Sequence, residues 1–239
     1  MNRTVREPGS AMNRTLAVAR IHLMDHATVF VLPWAVLASA LVINLIVWAL
    51  LPEAAANGTG GLASLYCFSW AMISVLISRG FPFQLGLGVT RRDFLRGTFL
   101  FLGAFAVSSA VILLGLNLLE RATGGFGLGG RFFRVPWLTD VPDWQLLAIY
   151  ALPMVFFVGL GLAFAAVWSR YRATGVVALL IGLGFALVVP IAVIAWSDSW
   201  PSVGTWFADL VPLTAVALLA GIGALGGAGA WLALRRAPV

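Results

Sequence analysis

Lysine is absent from this chain, and its 15 basic residues are all arginine. Acidic residues number nine, so charged side chains make up 10% of the 239 residues, against 61% hydrophobic. A soluble domain is roughly half apolar and about a quarter charged. So few charges cannot cover a water-facing surface of this size, which excludes a soluble globular fold. Disorder needs the opposite bias and is excluded too. The single cysteine, Cys67, rules out an internal disulfide and a Cys-based metal site; in its apolar run it reads as a small buried hydrophobe. Without lysine there is no GxxxxGK[ST] phosphate loop, so the chain cannot hydrolyse ATP by itself. It also lacks HExxH, a GxSxG elbow and a paired-glutamate run, and no catalytic residue is expected.

What is present is long apolar runs, with a mean hydropathy of +0.99. At about 20 residues per crossing, the length allows at most about seven or eight crossings and no large soluble domain. Six runs stand out, at 29–51, 62–78, 98–119, 145–168, 173–196 and 210–234. The expected fold is an all-α integral membrane protein: residues 1–28 form an amino-terminal segment and 29–239 a six-helix membrane domain. Pro33, Pro153, Pro190 and Pro212 fall within or at the ends of these runs, where membrane helices tolerate kinks.

The connecting segments alternate in charge. Twelve of the 15 arginines fall in the first, third, fifth and seventh segments, among them Arg79, Arg91, Arg92, Arg96, Arg170, Arg172, Arg235 and Arg236. The others hold three arginines against Glu53, Glu120, Asp140, Asp143, Asp198 and Asp209. The positive-inside rule then places both termini in the cytoplasm. Trp48, Trp137, Trp144, Trp196, Trp200 and Trp206 gather at the predicted outer ends, and Trp168 and Trp231 at the inner ends, as an aromatic belt does. High Ala, Gly and Arg without Lys suits a GC-rich bacterial genome, so a bacterial cytoplasmic (inner) membrane is the expected location. The basic balance is read as orientation, not as nucleic-acid binding.

No ionisable residue lies near the middle of a predicted span, although ion-coupled transporters usually need one there. The polar residues at depth include Asn44, Ser74 and Asn117, and Trp70 also sits in mid-span. They read either as interhelical hydrogen bonds and core packing or as the lining of a substrate pathway. His22, Asp25 and His26 share one helical face and have metal-ligand spacing. The projection of 14–27 gives a simpler account, with Leu16, Ala19, Leu23 and Ala27 opposite them: an amphipathic helix on the membrane surface, and no metal site. MNRT occurs at Met1 and again at Met12, so either methionine can be the start. No signal peptide is apparent. Gly159, Gly161, Gly223 and Gly227 permit close helix approach, as internal packing or as a dimer seam. Asn57-Gly-Thr matches a glycosylation sequon by chance in a bacterium.

Residues 79–97, RGFPFQLGLGVTRRDFLRG, are the most unusual polar-side stretch. Pro82, Gly86 and Gly88 punctuate it, and Val89 to Arg96 can form two helical turns. Positive-inside arginines against anionic lipid explain the charge. They do not explain Phe81, Phe83 and Phe94, expected to be exposed, which with the arginines suggest a docking knob.

With its 14–27 helix, the G-V-T-R-R-D-F run at 88–94 and the outer segment 198–212 containing Trp206, Phe207 and Pro212, the chain resembles the permease subunit of type-2 ATP-binding-cassette (ABC) exporters. The resemblance implies six spans, cytoplasmic termini, an amino-terminal elbow helix and a short coupling helix between spans two and three. It implies that the coupling helix, Val89, Thr90, Arg91, Arg92, Asp93, Phe94 and Arg96, docks on a separate ATP-binding subunit, with Phe94 as anchor. Two copies of that subunit would carry ATP and Mg; this chain would hold no cofactor and would pair with a second copy or a related permease. The expected cargo is hydrophobic or amphipathic: a drug, antibiotic, lipid or peptide. The outer segment 120–144 is longer and richer in glycine than the family leads one to expect. The competing expectation is a non-transporting immunity or signalling partner on the same scaffold.

Overall fold

The computed structural model describes residues 30–55 and 58–235. The amphipathic segment 14–27, the His22–Asp25–His26 set, both candidate start sites, Asn57 and Arg236 lie outside the described residues. Within them the fold is all-helical, without strands. The helices are α1 (Leu32–Leu50), α2 (Pro52–Ala55), α3 (Ala63–Gly86), α4 (Arg91–Ala122), α5 (Asp143–Trp196), α6 (Trp200–Ala208) and α7 (Pro212–Arg235). Five of them, α1, α3, α4, α5 and α7, are long and apolar enough to cross a membrane.

At 54 residues α5 would be about 80 Å long if straight, against a hydrocarbon core of about 30 Å. It is not straight. Arg172 adopts φ 55° and ψ −146°, outside the helical region. A Cβ at Gly175 would lie 3.0 Å from Val167 Cγ1, whereas eight residues of straight helix separate two positions by about 12 Å. The chain therefore folds back at Arg172, leaving 143–171 and 173–196 as separate lengths. This break falls between the predicted fourth and fifth charge-bounded runs, 145–168 and 173–196.

The first half of α5 carries the core. Leu146, Ile149, Tyr150, Met154, Leu162 and Ala165 recur at helical spacing and are buried. α5 packs on α3, α4 and α7. Leu65, Ser69, Ile73, Ile77, Phe81 and Gln84 form the facing stripe of α3. The stripe of α4 runs through Phe94, Phe101, Phe105, Ser109, Leu113 and Asn117 to Glu120. Residues 180–193, by contrast, are exposed almost throughout, including Ile181, Phe185, Leu187 and Val189. An all-round apolar helix of this kind suits a membrane span. Cys67 also faces outward, contrary to the expectation that it is buried. Trp48 departs from the belt in the other direction: it is buried, at 2% exposure, beneath the segment that follows α4.

α5 and α7 meet backbone to backbone. A Cβ at Gly159 would run into the carbonyl of Gly223, and one at Gly223 into the backbone of Phe156. These glycines pack internally, as the first of their two sequence readings holds. Gly221, two residues away and so on the opposite face of α7, has open space around it. Gly159→Val is therefore expected to lower stability by at least about 1–3 kcal/mol through overpacking, while Gly221→Ala leaves it unchanged or higher. Thermal unfolding of both variants in detergent measures the difference; equal midpoints would contradict the backbone contact.

Candidate functional site

Two regions gather the chemistry of the chain, at opposite ends of α4. The first is the corner between α3 and α4. The sequence suggests a short, separate helix at 89–96. Instead α3 continues through Pro82 to Gly86, and α4 begins at Arg91 and runs unbroken for 32 residues. The predicted spans 62–78 and 98–119 are correspondingly too short on this side. Pro82 removes one backbone donor, a loss that a membrane helix tolerates.

The turn between them has defined chemistry. Gly88 N–H donates to Leu85 O at 3.0 Å and Val89 N–H to Gln84 O at 3.1 Å, the paired bonds of a Schellman stop. Gly88 stands at φ +85°, which favours glycine. Thr90 then caps α4: its hydroxyl accepts from Asp93 N–H at 3.2 Å and donates to the Asp93 carboxylate at 2.8 Å.

This corner redistributes the expected docking residues. Phe94 and Phe81 are buried and meet edge to face at 5.3 Å, so neither is an exposed anchor. Phe83 and Leu87 are the exposed apolar side chains, each at 64%. Val89 is half-buried, and its N–H closes the turn. Arg91 reaches across to the carbonyl of Arg235 at 3.3 Å, tying the start of α4 to the end of α7. Arg92 and Arg96 are exposed and line a small cavity with Trp231 and Arg235.

The second region caps the other end. Glu120, 1% exposed, accepts hydrogen bonds from the backbone N–H groups of Phe132 at 2.9 Å, Phe133 at 2.7 Å and Arg134 at 3.3 Å. Tyr150 OH donates to Phe133 O at 2.9 Å and accepts from Asn117 Nδ2 at 2.8 Å. Tyr66 OH donates to Tyr150 O at 3.1 Å. The Arg121–Asp143 ion pair, at 2.6 Å, joins the end of α4 to the start of α5. Phe132 and Phe133 are buried beneath, edge to face at 4.9 Å. Residues 120–144 are thus a packed plug anchored on α4 and α5 through Glu120 and Tyr150, with Gly130 against Trp48 of α1.

The four suggested pathway residues do not converge. Asn117 belongs to the plug. Asn44 bonds Ala40 O of its own helix at 2.8 Å. Trp70 stands edge-on to Phe164 at 5.2 Å, its buried Nε1 unpaired. Ser74 bonds Trp70 O at 2.8 Å and approaches Gly161 O at 3.4 Å. The apolar groove between α4, α5 and α7 touches none of the four.

Comparison with known proteins gives no match: no family model fits the chain, and no curated protein or solved structure is significantly similar to it.

The plug makes a graded prediction. Glu120→Ala leaves the buried N–H groups of Phe132 and Phe133, and the half-buried one of Arg134, without their acceptor, at about 1–3 kcal/mol for each buried group, and is expected to open the loop to protease. Glu120→Gln keeps one acceptor oxygen and is expected to fall between Glu120→Ala and the parent chain. Limited proteolysis within 123–142, with melting in detergent, reads the order; indifference of the loop to both changes would contradict the anchor.

Proposed function

We propose that the chain is the membrane permease subunit of an ATP-driven exporter, moving a hydrophobic or amphipathic compound out of a bacterial cytoplasm. The observation that carries this reading is the α3–α4 corner. Among the described residues it offers a rigid, capped turn with exposed Phe83 and Leu87 amid arginines, at the end of two helices longer than the membrane is thick. α4 is about 48 Å long against about 30 Å of hydrocarbon, so its arginine-rich start can project into the cytoplasm.

The fold-back at Arg172 supports counting α5 as two crossings, which makes six in all with both termini inside. Arg79, Arg91, Arg92, Arg96, Arg170, Arg172 and Arg235 then lie on one side, as the positive-inside rule asks. With no phosphate loop in the chain, the energy comes from a separate ATP-binding subunit. Two such subunits and two permeases, identical or related, make the working unit. Closure of the ATPase pair against the corners rocks the helices between inward- and outward-open arrangements. In this revised form Phe83 and Leu87 make the central contact, and Phe94 supports the corner from within.

A photoreactive side chain placed at Phe83 in the full-length protein, in its native membrane, is expected to capture a nucleotide-binding subunit. The same probe at Trp196, on the opposite side, is expected to capture none. Capture of a sensor kinase at Phe83 would favour the signalling alternative, and a subunit captured equally at both positions would overturn the docking assignment.

A further inference from the structure

An open apolar groove of about 570 Å³ runs along the bundle, lined by Phe99, Gly103 and Ala106 of α4, Val158 of α5, and Gly227 and Trp231 of α7. On α4 its lining extends from Leu95 to Ala106. That is about 16 Å of helix, or roughly half of a hydrocarbon core about 30 Å thick. The groove is therefore one leaflet deep, too short for a spanning helix to fill.

At one end it joins a second cavity of about 220 Å³, lined by Arg92, Leu95, Arg96, Trp231 and Arg235. Leu95, Arg96 and Trp231 line both. The cavity presents three guanidinium groups and no carboxylate. Among the described residues the one ion pair is Arg121–Asp143, at the far end of α4. Arg235 stacks on the Trp231 ring at 4.6 Å, which limits the directions its fork can point. Guanidinium forks match phosphate oxygens in geometry and charge.

We propose that the groove and its arginine-lined end bind one anionic phospholipid. The phosphate headgroup sits among Arg92, Arg96 and Arg235, and an acyl chain lies along Phe99, Gly103 and Ala106. Charge argues against a second copy of this chain as the occupant. In a parallel copy, the acidic side chains of the described residues other than Asp93, namely Glu53, Glu120, Asp140, Asp143, Asp198 and Asp209, all sit toward the opposite ends of the helices. Asp93, on the arginine side, is already engaged by Thr90. An anionic lipid supplies both the negative charge and the apolar tail that the two cavities require. The site holds whether or not the chain exports anything.

The test is native mass spectrometry of the delipidated full chain in detergent, titrated with phosphatidylglycerol and with phosphatidylcholine of the same acyl chains. The expected result is one phosphatidylglycerol retained per chain, at least about tenfold tighter than phosphatidylcholine, as one to two charge contacts would give. The Arg92→Gln, Arg96→Gln, Arg235→Gln triple variant is expected to lose on the order of 100-fold in phosphatidylglycerol affinity. Gly103→Leu fills the groove at a position where an added Cβ meets nothing within 4 Å, so it should fold and reject the lipid. Gly115→Leu, on the same helix in equally open space but outside the groove, should bind like the parent.

Equal retention of the two lipids would overturn the headgroup assignment. Displacement of phosphatidylglycerol by millimolar inorganic phosphate alone would mark a soluble-anion pocket and overturn the lipid assignment. A lipid-free dimer that Gly103→Leu dissociates would give the groove to a second copy. If the triple variant fails to fold, the Gly103→Leu and Gly115→Leu pair still decides: equal lipid binding by both would refute the site.

Discussion

A chain surrounded by hydrocarbon has to satisfy its backbone N–H and C=O groups from within, because the solvent offers no partner. Helices do this segment by segment, and most of the described chain is helical. The difficulty falls on the stretches that leave the helix. Between α4 and α5 the chain runs for about twenty residues with only a short, distorted π-helical turn at Gly125–Gly129, and is partly buried. There the Glu120 carboxylate takes up three consecutive backbone donors, and Tyr150 supplies the Phe133 carbonyl with its hydrogen. Removing a carboxylate from water costs several kcal/mol, which only charge-assisted bonds of this kind offset. The α3–α4 corner answers the same demand from both sides of the turn: the stop at Gly88 and Val89 uses carbonyls that the end of α3 leaves over, and the Thr90 hydroxyl takes up the Asp93 N–H at the start of α4.

The same constraint decides what could be read from the sequence. Apolar runs bounded by charge overlap the five long apolar helices and bracket the break at Arg172, because a lipid-facing helix needs an unbroken run and a turn at the surface does not. The corner was misread because Arg79, Pro82, Gly86 and Gly88 are the residues that punctuate soluble loops. In a membrane helix whose end projects beyond the hydrocarbon, arginine is at home and proline is tolerated. Reading 89–96 as a separate short helix also hides the best clue to the plug. Once α4 is taken as one helix from 91 to 122, Phe94, Phe101, Phe105, Ser109, Leu113, Asn117 and Glu120 fall on one stripe, and both the buried phenylalanine and the buried carboxylate follow from spacing. The partners of Glu120 were not legible, since backbone donors at 132–134 carry no side-chain signature. Nor could the sequence show that Asn44, Trp70, Ser74 and Asn117 serve separate local contacts; residues of equal depth need not share a face.

The functional account joins these two ends through one rigid element. α4 carries the arginine-rich corner at its start and the plug anchor at its finish, and it packs along the first half of α5 between them. No break in helical geometry interrupts α4 between the corner and the plug. α7 packs against α5 backbone to backbone at Gly159 and Gly223. The half-helix 173–196, nearly bare of protein contacts, is the part of the chain free to meet lipid or another subunit.

The claim on which this account stands is that an ATP-binding subunit drives the chain from outside. The most direct measurement is gentle solubilisation of the protein from its native membrane, followed by mass spectrometry of what copurifies. The account predicts an ATP-binding subunit in stoichiometric amount. A sensor kinase in its place, or a chain that purifies alone, would contradict it.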